Sequence, residues 1–318
     1  MKSWQALLLL GLIAGPTYWP VKVGQQPAPF PELKRPYLGQ KTPGLTPEIF
    51  APGIVSTQFI DSVPVFSADG AEIYWSRIIG KGRGEIVVSR IENGRWTEPK
   101  PVSFTQPNTL DVGPSLSADG RRMVFLSRRP VNGKTPSPAF FFVWMATRSG
   151  KEWTAPAALG PAINSWDADI CAVLADDGTL YFTSRHSDSA GKTLSNIYFS
   201  RWANGEYSQA EKLAAPFNTA EGAMLTYVAR DQSYIITTST REGGFGQTDL
   251  YISFRQKDAS WGPALNMGEA VNSSGYEHMA SISPDGKYLF FCSDRGGNLD
   301  VYWVDAVIIE DLRKANMR

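Results

Sequence analysis

Short runs of alternating apolar and polar residues fill this chain, and the alternation restarts about every fifty residues. Five polar turns punctuate it: FSADG (66–70), LSADG (116–120), ADDG (175–178), ARDQ (229–232) and ISPDG (282–286). Their aspartates, Asp69, Asp119, Asp177, Asp231 and Asp285, are spaced by 50, 58, 54 and 54 residues. An apolar segment follows each turn (EIYWS, RMVFLS, TLYFTS, SYIITTS, YLFFCS), and then a second one (IVVSR, FVWMATR, IYFSR, LYISF, VYWVD). In four copies a turn and an aromatic come next, at Trp96, Trp153, Tyr207 and Trp261. Period-two runs bounded by Asp-Gly turns predict antiparallel strands joined by tight hairpins. Each copy therefore reads as one four-stranded sheet.

A lone sheet of this kind leaves a hydrophobic face bare, whereas copies stacked radially cover one another. The predicted fold is all-β, a five-bladed β-propeller. Its last copy stops after three strands, near Asp305, and PEIFAPGIVS supplies a candidate for the fourth around Glu48–Ser56. The ring is thus expected to be closed by an N-terminal strand completing the last blade. The expected organisation is an N-terminal signal or anchor over 1–26, an extended linker over 27–47, the propeller over 48–306 and a helical tail over 307–318.

Composition narrows the function. Of 318 residues, 31 are basic and 31 acidic. That balance provides no basic stripe for a phosphate backbone, so nucleic acid is not an expected partner. Lys2 and the apolar run 6–14, ended by Pro16 and Pro20, have the form of a secretory signal, an uncleaved N-terminal anchor being the alternative. The run is shorter than the roughly 20 residues a transmembrane helix needs. The expected location is outside the cytoplasm, periplasmic or secreted. Cys171 and Cys292, the two cysteines, fall on strands of different, non-adjacent copies, so two buried free thiols are expected rather than a disulfide.

The phrase ISPDGKYLFFCSDRGGNLDVYWV (282–304), together with NTAEGAM (218–224), resembles the WD40-like PD40 repeats of TolB-type and outer-membrane-associated bacterial propellers. The similarity runs over about 48–306. It implies a propeller that meets an envelope protein or a glycan. It does not extend to the α/β domain of TolB or to an OmpA-like domain, so a place in a Tol-Pal complex is not implied.

Two sets of residues are candidates for chemistry. The first repeats: Asp61, Asp111, Asp167, Glu221 and Glu277 precede the innermost strands, and Arg77, Arg128, Arg185, Arg241 and Arg295 follow the next ones. Convergent carboxylates at a channel mouth can cleave a glycosidic bond or hold a cation. Recurrence in all five copies favours the structural reading, in which acid and arginine pair within the ring. The second set breaks the symmetry. His186 and His278 are the only histidines; one of them can serve as a base near neutral pH, the alternative being an exposed loop histidine. The glycine-rich loops 243–249 and 296–300 can cradle an anion or simply turn the chain. An enlarged loop, 130–138, offers Asn132 and Lys134 for recognition, and Phe245 adds an aromatic. The apolar run 140–144 that follows is expected to be buried. No phosphate loop, zincin or serine-hydrolase motif is present, so no cofactor or metal is expected.

The expected function is an exported, monomeric binding or scaffold propeller that recognises a protein or a glycan with its channel mouth and loops. The alternative is a glycoside hydrolase or lyase using Asp111, Glu277 and His278.

Overall fold

The computed structural model describes residues 29–80, 82–136, 140–164, 168–187, 193–218 and 223–316. The segment 1–26, Asp167 and Glu221 lie outside them. Five antiparallel blades surround one axis, each built outward in chain order. Blade 1 comprises Ile60–Asp61 with Val65–Phe66, then Glu72–Gly80, Arg83–Glu92 and Lys100–Pro101. Blade 2 comprises Asp111–Leu116, Arg122–Ser127, Phe142–Ser149 and Ala157–Ala158. Blade 3 comprises Ala168–Leu174, Leu180–Ser187, Thr193–Ser200 and Glu211–Lys212. Blade 4 comprises Met224–Val228, Tyr234–Ser239, Asp249–Phe254 and Leu265–Asn266. Blade 5 comprises Glu277–Ile282, Tyr288–Ser293 and Asp300–Asp305, and its outer strand is Glu48–Ile49 from the other end of the chain.

The recurrent aspartates make the inner hairpins. Asp119 accepts hydrogen bonds from the Ser117 hydroxyl at 2.6 Å and the Arg121 amide at 3.0 Å. Asp69 and Asp285 repeat both bonds, and Asp177 and Asp231 keep the amide one. A short carboxylate that bonds the amide two residues on fixes the turn locally. These bonds also hold the carboxyls of Asp69 and Asp119 below the ordinary range, the serine hydroxyl contributing most.

Side-chain alternation then assembles the ring. In the second strand of blade 5, Phe290 and Cys292 face blade 1, while Leu289 and Phe291 face blade 4. Among the described residues the core falls into five clusters, one at each blade interface. A second set of ties lies nearer the axis, where hydroxyls bond to the backbone of the adjacent blade. Ser76 accepts from the Gly113 amide at 2.8 Å, Ser115 from Leu174 at 3.0 Å and Thr183 from Leu225 at 3.0 Å. Thr238 donates to the Glu277 carbonyl at 2.8 Å, and Ser281 to that of Pro64 at 2.6 Å, completing the circuit.

Closure is by backbone pairing and aromatic packing. Glu48 pairs with Trp303 and Ile49 with Tyr302. The Phe50 amide reaches the Val301 carbonyl at 2.7 Å, and its fully buried ring meets Phe290 and Trp303. The chain before it is also held down. Leu38 is buried in the blade 5–blade 1 cluster, and the Trp96 indole donates to the Arg35 carbonyl at 2.8 Å. The helix Val307–Asn316 starts on Asp305, whose carboxylate accepts the Val307 amide at 2.9 Å. It buries Ile309 against blades 4 and 5. Among the described residues no helix is long and apolar enough to cross a membrane.

Candidate functional site

Three of the five recurrent acids are described, and each sits in an arginine pair. Arg77 Nε donates to Asp61 at 3.1 Å, and its Nη2 to the Ile54 carbonyl at 2.9 Å. Arg295 reaches Glu277 at 3.4 Å and also bonds the Val271 carbonyl. For Asp111 the partner is Arg129, at 2.7 Å, with a further bond to the Phe104 carbonyl at 2.9 Å. In each case the guanidinium links the first strand of a blade to the loop that leads into it. Asp111 and Glu277 are fully buried and take further bonds from the Ser127 and Ser293 hydroxyls at 2.6 and 2.7 Å. Of the three, only Asp61 contributes to the wall of the central cavity. Its carboxyl is pushed up by burial, against the pull of Thr57 and Arg77.

The phase of the repeat differs from the one predicted. Asp111 and Glu277 stand opposite Ser127 and Ser293, and in blade 3 the residue opposite the matching Ser184 is Asp169, not Asp167. In blade 4, Met224 pairs with Thr238, which brings Ala223 to the place beside Ser239. The arginines fall into three phases. Arg77 occupies the serine position itself, opposite Asp61. Arg241 and Arg295 lie two residues past their serines, over Tyr251 and Tyr302 at 5.3 and 5.2 Å, as Arg129 lies over Trp144 at 5.8 Å. Arg128 and Arg185 come one residue past theirs. Arg128 stacks on Phe141 at 5.2 Å in the cavity wall, and Arg185 pairs in register with Ala168. Among the described residues the acid–arginine pairs therefore do not all fall at one phase.

The inner strands of all five blades enclose a cavity of about 340 Å³. Val112, Pro114, Val173, Met224, Tyr227 and Met279 give it a mainly apolar wall. At the end where the Asp-Gly turns lie, Arg230 of blade 4 reaches Asp176 of blade 3 and the Phe66 carbonyl of blade 1, both at 3.4 Å.

His278 is in this wall, on an inner strand, and not on an exposed loop. Its Nδ1 is buried and has no hydrogen-bond partner among the described residues. Burial lowers the imidazole to about 4, outweighing Asp294 and Glu277, so it is neutral at pH 7. His186 is likewise in a strand, in register with Leu194. Both cysteines are free, but only Cys292 is fully buried. Cys171 lines the cavity, and burial pushes its thiol up to about 12.

The connections between second and third strands all leave on the face where the inner strands begin. In the 130–138 loop, Val131 and Lys134 exchange both backbone bonds at 2.9 Å across Asn132 and Gly133, whose φ values are +49° and +77°. Asn132 and Lys134 are exposed at its tip. The apolar run behind it is buried at Phe141, Phe142 and Val143. In blade 4, Phe245 is 48% exposed, and its amide donates to Asp249 at 2.8 Å. The glycine-rich loop 243–249 thus turns its backbone toward an internal carboxylate, not toward an open anion site. A Cβ on Gly246 would stand 2.2 Å from the Ser273 carbonyl oxygen, so the close approach of these two loops requires glycine there.

No family model matches the chain, and no curated protein matches it. Solved structures do. A putative TolB from Agrobacterium tumefaciens aligns at 15% identity over 78% of each chain, with a TM-score of 0.48. A chain of a nidogen/laminin complex aligns at 15% identity over 79% of this chain and 77% of its own, also at 0.48. A prolyl endopeptidase aligns at 14% identity and a TM-score of 0.42 over 80% of this chain, which spans only 35% of that one. These likenesses concern fold and carry no argument about activity.

Proposed function

We propose that this chain is an exported propeller of the PD40, TolB-type repeat class that acts as a binding protein. It grips a protein partner with the face bearing the second-to-third-strand connections. The observation that supports this reading is the unequal relief of that face. Blade 1 raises a hairpin of strands 9 and 10 residues long and blade 3 one of 8 and 8, against 6 and 6 in blades 4 and 5. Between them stands the Asn132–Gly133 turn of blade 2. Its two positive φ values are those of a type I′ hairpin, so its tip is ordered before any partner arrives. A preorganised loop loses little conformational freedom on binding. Exposed Phe245 on the same face offers an apolar anchor.

Glycan cleavage by Asp111 and Glu277 has less support, because a general acid or base must reach the substrate. Both carboxylates are fully buried and bonded to arginine and serine.

The test is a crosslinking pull-down from envelope extract with the chain from Phe30 onward. One protein should be retained specifically and lost when 130–138 is shortened to a tight turn. Retention of glycans without protein, or retention indifferent to that loop, would overturn the reading.

A further inference from the structure

We infer that the central cavity is a separate binding site for a small, neutral, largely apolar molecule that carries one hydroxyl group. The inference does not depend on the partner-binding reading, although Gly82 of the blade 1 connection also lines the cavity.

The size is right, since small-molecule pockets begin at about 300 Å³, and this one measures about 340 Å³. The decisive feature is which polar groups in the wall remain available. Ser76, Ser115 and Thr238 are engaged in the ties between blades. Ser62 and Thr226 donate to the carbonyls of Val63 and Ile236 at 3.3 and 3.0 Å. Asp61 is held by Thr57 and Arg77, and Arg230 by Asp176 and Phe66. Each of these side chains already holds at least one bond within the protein, and Arg128, in the same wall, stacks on Phe141 at 5.2 Å. His278 is different, because its buried Nδ1 has no partner among the described residues.

Local backbone geometry accompanies that side chain. The inner strand of blade 5 bulges between His278 and Ala280, and Met279 in the bulge takes φ +53°. Blade 2 has Gly113, at φ +64°, in the same place. Left-handed geometry is readily adopted by glycine and unfavourable for methionine. Strain kept at a cavity wall, beside an unpartnered imidazole, is typical of a ligand-contacting position.

The chemistry of the ligand follows from the wall. An unpartnered polar atom in an apolar enclosure is costly, so a ligand that pairs with it gains over one that does not. A neutral imidazole presents one donor and one acceptor, and no bond to a described residue fixes the tautomer of His278. A hydroxyl satisfies either tautomer. Burial keeps His278 neutral and raises the carboxyl of Asp61, so the wall offers a ligand an uncharged imidazole. A carboxylate ligand would meet the same desolvation.

The experiment uses three probes of one shape: 1-naphthol, naphthalene and 1-naphthoate. Binding to the full chain is followed by calorimetry. Saturable one-to-one binding of 1-naphthol is expected, about tenfold tighter than naphthalene, the margin of one hydrogen bond. His278→Phe should erase that preference while naphthalene still binds. Cys171→Phe, which fills the cavity, should remove both, and circular dichroism checks that each variant is folded. The proposal is overturned if 1-naphthol does not saturate the folded protein or if 1-naphthoate binds as tightly. A preference for the hydroxyl that survives in His278→Phe overturns it too.

Discussion

The Sγ of Cys292 lies 3.7 Å from the backbone carbonyl oxygen of Asp61, across the seam where the last blade meets the first. Ser76, Thr183 and Thr238 occupy the same place in blades 1, 3 and 4, and each hydroxyl bonds the inner strand of the next blade. The closing blade therefore makes the common tie with a thiol, a weaker donor than a hydroxyl. Cys292→Ala should lower stability by about 1–2 kcal/mol, through the lost contact and the small void. Cys292→Thr, which restores the hydroxyl of the other blades, should stay within about 1 kcal/mol of the parent. Urea midpoints of the two variants decide it, and an alanine variant as stable as the parent would remove the thiol from the account.

The seam also depends on Phe50, which is fully buried against Phe290 and Trp303 just past the closing strand. Phe50→Ala should cost about 3–5 kcal/mol in chemical denaturation. Leu45, 61% exposed a few residues earlier, is the control. Leu45→Ala should change stability by less than about 0.5 kcal/mol.

The fold was legible because its determinants are local and repeated. The Asp-Gly turns bond their own backbone, and the apolar segments after them show the strand period directly. The candidate site was less so. Its acids are expected at the entries to the innermost strands, and the structure fixes the register there through Asn164, Asn218 and Asn272, whose amides bond both backbone groups of Val143, Ile197 and Leu250. Five residues past each comes the register position, which is Asp169, Ala223 or Glu277. That offset was visible in the sequence, as was the Arg128-Arg129 doublet. What no pattern in the chain reveals is that a bulge carries His278 into a cavity wall. Bulges shift the alternation by one residue, and their position depends on the blades on either side.

Arg129 tests the corrected pairing. With Asp111 fully buried, Arg129→Met leaves a carboxylate without its counter-charge. Such a loss should destabilise by about 3–5 kcal/mol. Replacing both partners, Asp111→Leu with Arg129→Met, should recover most of it, since a buried ion pair and an apolar pair of similar volume are often equivalent. A double variant no better than the single one would mean that the pair is needed for more than its charge.

Acidity should report on His278. Its imidazole is lowered by burial from 6.5 to about 4, so between those values the unfolded chain binds the proton and the folded chain does not. Stability then rises with pH across that window and is flat above it, a change of roughly 3 kcal/mol in all. Asp294 and Glu277, which face the ring, oppose the shift without cancelling it. Asp61 and Asp249, raised by burial, act with the opposite sign, because the folded protein holds their protons more tightly and loses that advantage as pH rises. His278→Phe separates these contributions, since the carboxyls remain in place. Measured at pH 7, 5.5 and 4.5, the urea midpoint of the parent should fall relative to that of the variant as the pH is lowered. Parallel profiles would mean that the folded protein accommodates a charged His278.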